Sequence, residues 1–312
     1  MKRETKIYAL MVAAAFLWSG AFIAGKFTAP YIPSATVTCL RFAIASVMLY
    51  FMMKRMQGRE PETEYAFHKG DMPHFLFTGI VGMVGYHIFF FEALNYTTAI
   101  NSSIIRAVDP VVTVVLSFVF LKQRVPALRL FGIVLSLAGV VLTITSGDLG
   151  SLSELNLNRG DLYMLGAVLS WSAYGVYTKS KCGHIPPVVL TFYSFLVCTV
   201  VLIPFMLFEK PWEFFMDISL SAWLALLFMA VFCSGIAYYI QQISLRVIGP
   251  TRSSIFVNLV PVFSFILATL ILGETLQPVK LVTTLLIIAG VCICQLSGKE
   301  KCDRGEDSCV IN

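Results

Sequence analysis

The chain matches itself. Trp18–Ser19 returns as Trp171–Ser172, Lys26 as Lys179, Ile32–Pro33 as Ile185–Pro186 and Thr38 as Thr191, all displaced by 153 positions. Further on, Ser102–Ser103 returns as Ser253–Ser254, Pro110–Val111 as Pro261–Val262, and Ala138–Gly139–Val140 as Ala289–Gly290–Val291, displaced by 151. Solenoid units run to about 20–50 residues. A unit of this length is a duplicated half-protein, so whatever scaffold one half adopts, the other must adopt as well.

Composition says what kind of scaffold. Hydrophobic residues make up 57% of the chain and charged residues 13%, with a mean hydropathy of +0.80. Soluble domains hold about 45–50% apolar and about 25% charged residues. Apolar runs of about 18–20 residues recur throughout, the length that crosses ~30 Å of hydrocarbon as helix. The ~10-residue alternating segments of a membrane barrel are absent. The runs predict an all-α integral membrane protein with ten transmembrane helices, near 7–25, 34–53, 73–93, 99–121, 128–146, 161–178, 187–208, 220–243, 252–273 and 279–297. Breakers separate them, among them Pro30, Pro33, Pro61, Pro186–Pro187, Pro211, Gly249–Pro250 and Pro278. The first run could pass for a signal peptide. However, Met11, Ala14 and Trp18 recur as Met164, Ala167 and Trp171, so it belongs to the repeat and is expected to stay as a span.

Ten spans put five in each half, residues 1–150 and 151–298, with a short tail over 299–312. Five is odd, which mounts the second copy upside down. Inverted repeats of this kind are a signature of secondary transporters. The cationic residues agree with that topology. Seventeen of the 23 Lys and Arg fall on alternate loops of one side, from Lys2, Arg3 and Lys6 to Lys299, Lys301 and Arg304, whereas the other side has four: Lys26, Arg159, Lys210 and Lys280. By the positive-inside rule both termini are cytoplasmic. Equivalent loops also swap sign: the Lys54–Lys69 loop is basic, and its counterpart around Glu209, Glu213 and Asp217 is acidic. The net charge of +5 therefore orients the chain in a bilayer and does not point to nucleic acid.

The remaining two cations, Arg41 and Arg106, lie inside predicted spans. Insertion scales put a central Arg or Asp at roughly 2.5–3.5 kcal/mol, so intramembrane ionisable groups are functional candidates. Arg41 and Arg106 are each about seven residues into a span that starts on the outer side, and His87 is about seven residues from the outer end of another. At 1.5 Å per residue all three sit ~10 Å below the outer surface. Asp109 follows Arg106 at i+3, and Glu92 closes the third span. In the second half the positions of Arg41, Glu92, Arg106 and Asp109 hold Ser194, Ile243, Val257 and Val260. The scaffold was duplicated and the charges were not. Neutral polar groups stand in the second half instead: Gln241, Gln242, Asn258, Tyr238 and Tyr239.

Each candidate has a plainer reading. Arg106 and Asp109 could merely neutralise each other on one helix face. Arg41 could snorkel outward or brace Glu92; His87 could be a satisfied interior histidine; and Glu92 could sit among headgroups. Trp18, Trp171 and Tyr238 fit a cavity wall or an interfacial belt, and the mid-span position of both tryptophans favours the wall. Gly79, Gly82 and Gly85 provide a small face for close helix approach. Pro110 and Pro261 interrupt equivalent helices near mid-span, which points to a central binding site. The eight cysteines lack zinc-ribbon or CxxC spacing and mostly lie in apolar runs as small hydrophobes. No metal, cofactor or catalytic set is expected: P-loop, HExxH and GxSxG are all absent. The closing Cys309-Val310-Ile311-Asn312 has the form of a prenylation box, but Asn is an unusual last residue for one.

Phe16-Leu17-Trp18-Ser19, Leu40-Arg41-Phe42, Glu92-Ala93-Leu94, Pro250-Thr251-Arg252-Ser253-Ser254, Leu259-Val260-Pro261-Val262, Leu272-Gly273-Glu274 and the Ala-Gly-Val closing each half resemble the EamA family of the drug/metabolite transporter superfamily. The likeness runs over residues 7–297. It departs at Leu121-Lys122-Gln123, where the first half lacks the end-of-helix glutamate, and at Arg106 and Asp109, which interrupt the usual apolar pattern. The resemblance implies two five-helix EamA repeats moving small metabolites across the cytoplasmic membrane of a prokaryote. The leading expectation is an exporter of amino acids or similar metabolites. Arg106, with Arg41, would hold a carboxylate, Asp109 the amine or a coupling proton, and Trp18, Trp171, Tyr238 and Asn258 would line the cavity. Further candidates to carry a proton are His87 and Glu92. The alternatives are a carrier of organic anions or phosphate esters and, remotely, an intramembrane enzyme or lipid-handling protein.

Overall fold

The computed structural model describes residues 2–58, 67–121, 126–145, 147, 158–247, 256–275 and 277–302. Among these every regular element is helical, and six helices are long and apolar enough to cross a membrane. In chain order the helices are α1 (Lys2–Thr28), α2 (Ser34–Gln57), α3 (Lys69–Tyr96), α4 (Ala99–Arg106), α5 (Asp109–Leu121), α6 (Ala127–Ile144), α7 (Arg159–Lys181), α8 (Pro187–Phe208), the short α9 (Pro211–Phe214), α10 (220–247), α11 (256–272) and α12 (Pro278–Cys302). The six spanning helices are α1, α2, α3, the α4–α5 pair, α8 and α10; shorter apolar stretches lie in α6, α11 and α12. Helix α7 is 23 residues long, but Arg159, Asp161, Lys179 and Lys181 lower its hydropathy. It is shielded by packing against α3, α4 and α5.

Exposed apolar side chains form the outer surface. Phe120 is 71% exposed, Phe208 84% and Leu270 76%, and such a surface is stable only against lipid. Lipid tails give helices no hydrophobic reason to associate, so close packing and polar links must hold the bundle. Both are present. Equivalent glycines Gly139 and Gly290 lie where α6 and α12 pack together. A Cβ on Gly290 would stand 2.6 Å from the Gly132 carbonyl oxygen and 2.7 Å from the Ser136 nitrogen. One on Gly139 would stand 3.1 Å from the Thr283 carbonyl oxygen. Only hydrogen fits at these contacts.

Three stretches of the described residues are π-helical where the sequence reads as continuous spans: Thr78–Gly85 within α3, Met229–Ala237 within α10 and Ala268–Leu272 at the end of α11. The first two are equivalent, starting 151 positions apart. The glycine-rich Thr-Gly-Ile-Val-Gly-Met-Val-Gly run lets α7 and α8 come close, with the Tyr174 ring over Gly82 and the Ser194 carbonyl beside Gly79. Helix α2 packs on α8 and on the π stretch of α10, while α8 packs on the π stretch of α3. These contacts join the two halves.

At one end of the bundle two carboxylates cap helix N-termini. Glu209, just past α8, accepts from the backbone N–H of Ala35 (3.1 Å) and Thr36 (2.7 Å) and from the Thr36 hydroxyl (2.6 Å). Glu274 accepts from the N–H of Ala99 (2.8 Å) and Ile100 (3.1 Å). It can turn back to α4 because Gly273 takes a left-handed φ of 67° at the end of α11, a conformation costly for any residue with a Cβ. Both second-half glutamates thus satisfy orphan donors at first-half helix N-termini, where the helix dipole also favours an anion. The opposite end carries Lys54, Arg55, Lys69, Lys179 and Lys181 at or beside the ends of α2, α3 and α7.

Candidate substrate-binding site

Between α1, α2, α3, the α4–α5 break, α7, α10 and α11 lies a cavity of about 270 Å³. Its polar corner is made by the helix break. Residues Ala107 and Val108 separate α4 from α5, and Pro110, which has no N–H to offer the preceding turn, opens α5. The break places Arg106 in the last turn of α4 and Asp109 in the first turn of α5. A cation near a helix C-terminus and an anion near an N-terminus are both favoured by the dipole. Arg106 Nη1 lies 3.2 Å from Asp109 Oδ2. The two are close enough to attract, yet Nη1 is buried with no properly angled acceptor among the described residues. Nε of Arg106 donates to the Tyr86 hydroxyl at 3.1 Å. The guanidinium also stacks on two rings, 5.0 Å from the centroid of Tyr86 and 5.1 Å from that of Trp171. Asp109 Oδ1 accepts from Ser172 Oγ at 2.7 Å.

Arg41 reaches the cavity from α2 and is 3% exposed. Its Nε donates to Ser234 Oγ at 2.7 Å, in the π stretch of α10. Among the described residues no carboxylate lies within ion-pair distance of its guanidinium. His87 lies against the Phe42 ring at 4.6 Å and the Tyr86 ring at 4.6 Å. Its Nδ1 is 2.9 Å from the Met83 carbonyl oxygen. A carbonyl can only accept, so the proton sits on Nδ1 and Nε2 remains an acceptor in the neutral ring. Met83 and Ser234, the two groups holding His87 and Arg41, are equivalent positions of the π stretches of α3 and α10.

Aromatic rings form the rest of the wall. Tyr238 packs edge-on to Trp18 at 6.2 Å and to Trp171 at 6.3 Å, and Trp171 meets Tyr86 at 5.1 Å. Of the residues singled out in the sequence, the cavity brings together Arg41, His87, Arg106, Asp109, Trp18, Trp171 and Tyr238. Glu92 is elsewhere: it accepts from Ser34 Oγ at 2.6 Å at the start of α2 and does not line the cavity. Asn258 falls in the turn that opens α11, but its side chain lies outside the described residues, as do Ser253–Ser254. Sequence reasoning missed Tyr86, Ser172 and Ser234. Ser172 had a signal, since it follows Trp171 in the repeat; Ser234 sits at the position equivalent to an apolar methionine and had none.

The profile of the EamA-like transporter family matches residues 5–145 and again 158–295. An uncharacterized transporter of Bacillus subtilis, YyaM, is 26% identical over 295 residues, covering 93% of each chain. One of Archaeoglobus fulgidus, likewise named an uncharacterized transporter, is 29% identical over 293 residues, covering 92% of this chain and 96% of its own. A solved crystal structure superposes with a TM-score of 0.65 at 20% identity, over 94% of this chain and 99% of the other, which shows the shared fold. With a family match on both halves and six helices long and apolar enough to cross a membrane, the chain is a multi-pass membrane protein that belongs to the EamA-like transporter family.

Proposed function

We propose that this protein is a secondary-active exporter of amino acids or similar small carboxylate-bearing metabolites, working by alternating access between two inverted five-span repeats. The observation that carries the reading is the buried pair of guanidiniums, Arg41 and Arg106, lining an aromatic cavity whose one carboxylate among the described residues is Asp109. A guanidinium holds a carboxylate bidentately. Arg41 has hydrogen-bonding capacity beyond its bond to Ser234, and Arg106 Nη1 has a donor without an acceptor. A substrate carboxylate between them satisfies both. Its amine then faces Asp109, and its side chain faces Trp18, Trp171 and Tyr238. Asp109 also serves as the group that carries a coupling proton, with His87 Nε2 nearby to accept one. With ten spans, the bias of Lys and Arg supports both termini, and the basic end of the bundle, lying in the cytoplasm of the cell. On this reading the helix caps made by Glu209 and Glu274 lie at the outer end.

A carrier of organic anions or phosphate esters is the second reading, favoured by the lack of an acidic partner for Arg41 among the described residues. Thermal-shift screening of detergent-purified protein against amino acids, organic acids and sugar phosphates tests both, with hits followed by flux into proteoliposomes. Stabilisation by amino acids that is lost in Arg41→Gln and Arg106→Gln supports the first reading. Stabilisation by dianions alone selects the second, and flux of neither class rejects both.

A further inference from the structure

We propose that Asp71, His74 and His184 form a binding site for a zinc-class divalent cation at the basic end of the bundle, far from the substrate cavity. Asp71 and His74 belong to the first turns of α3, whereas His184 stands in the loop between α7 and α8. One ligand atom from each residue lies within 4.8 Å of the others. Asp71 Oδ1 and His184 Nε2 are already 2.9 Å apart, and the two imidazole rings are 5.8 Å apart. A tetrahedral ion with ligand bonds near 2.0–2.2 Å needs its donors ~3.3 Å from one another, so small side-chain rotations complete the site.

The outer partner fits as well. Metal-binding histidines are generally oriented by a second hydrogen bond. The Tyr177 hydroxyl meets His74 Nδ1 at 2.9 Å, and the same tyrosine stacks on Phe77 at 4.0 Å, which fixes its ring. Two imidazoles and one carboxylate suit zinc and its neighbours cobalt and nickel, while magnesium and calcium prefer oxygen donors. His184 is 59% exposed, so the site has access to solvent and room for a water as fourth ligand. It is therefore a place where a metal can come and go. Since α3 comes from the first half and the α7–α8 loop from the second, a bound ion ties the two halves together at this end.

The test uses full-length protein purified without a polyhistidine tag. Zinc is titrated calorimetrically into the wild type, Asp71→Asn and His184→Gln, with magnesium as control, and thermal midpoints are recorded with and without zinc. Cobalt titration supplies a visible spectrum specific to bound metal. Zinc binding that weakens at least ~10-fold in both variants, with a zinc-dependent rise in midpoint confined to the wild type, supports the site. Because His184 is mostly exposed, its substitution leaves the metal-free midpoint unchanged, which separates lost binding from misfolding. Equal zinc affinity in wild type and both variants, absent binding to the wild type, or equal competition by magnesium overturns it.

Discussion

Arg41 and Ser194 occupy equivalent positions of the two halves, and each reaches across to a π stretch of the other half. Arg41 Nε donates to Ser234 Oγ at 2.7 Å; Ser194 Oγ lies 2.7 Å from Thr78 Oγ1. One crossing carries a charge to the substrate cavity and the other is a buried neutral bond. Duplication supplied the geometry twice, and only one copy was fitted with an ionisable group. Removing the hydroxyl in Ser234→Ala leaves a buried charged donor unsatisfied, which costs about 1–3 kcal/mol. Ser234→Ala is therefore expected to weaken ligand binding about tenfold, while Ser194→Ala lowers only the thermal midpoint. Binding isotherms and melting curves of both variants check the contrast.

Arg41→Lys keeps the charge and loses the planar fork. Its shorter reach also breaks the bond to Ser234. Substrate affinity is expected to fall at least tenfold, with a lower melting midpoint from the lost bond to Ser234. Retention of full affinity would show that bulk charge suffices.

Asp109 is the one carboxylate that lines the cavity, among the described residues. If it carries the coupling proton, Asp109→Asn flattens the dependence of flux on pH while protein remains in the membrane. Ser172→Ala, which removes the 2.7 Å hydrogen bond to Asp109, should shift the profile without flattening it. Proteoliposome uptake across a series of external pH values reads both, and an unchanged profile for Asp109→Asn rejects the proton role.

Gly290→Ala drives a methyl group into the backbone of α6 at 2.6 Å, a contact that no rotamer change relieves. The expected cost is about 1–3 kcal/mol, seen as a lower thermal midpoint in detergent. Gly175→Ala provides the control, since nothing lies within 4 Å of its added carbon. There alanine is neutral or slightly stabilising, as helix propensity predicts.

Glu209→Gln and Glu274→Gln remove the charge from the two caps while keeping the shape. Loss of a cap is worth about 0.5–2 kcal/mol. Hydrogen–deuterium exchange should rise at residues 35–38 in the first variant and 99–102 in the second, each without affecting the other. Simultaneous loosening of both ends would mean that they open as one unit.

Much of this arrangement was written in hydropathy and in the cost of intramembrane charge. The apolar runs marked helices, and Arg41, His87, Arg106 and Asp109 stood out because lipid makes such residues expensive. Glu92 stood out for the same reason, yet the fold uses it to bond Ser34 near the bundle end. The reverse happened at Glu209 and Glu274. In sequence Glu209 belongs to an acidic loop and Glu274 to the Leu272-Gly273-Glu274 match, and only tertiary structure brings them to helix N-termini some 174 residues away. The π stretches of α3 and α10 were illegible because both lie in runs of almost wholly apolar or small residues, which have no polar face to show a change of period. Polar partners such as Ser172, Ser234 and Tyr86 were obscured by their chemistry, since hydroxyls are cheap anywhere in a membrane helix.

The helix break that separates Arg106 from Asp109 has an electrical consequence. Those two charges cancel, which leaves Arg41 as a net positive charge among the ionised cavity residues. A zwitterionic cargo leaves that charge in place, and a monoanion cancels it. Moving one elementary charge through the membrane field is worth about 2.3 kcal/mol per 100 mV. In an alternating cycle, voltage therefore acts equally on the empty and zwitterion-loaded carrier, but on the empty carrier alone when the cargo is a monoanion.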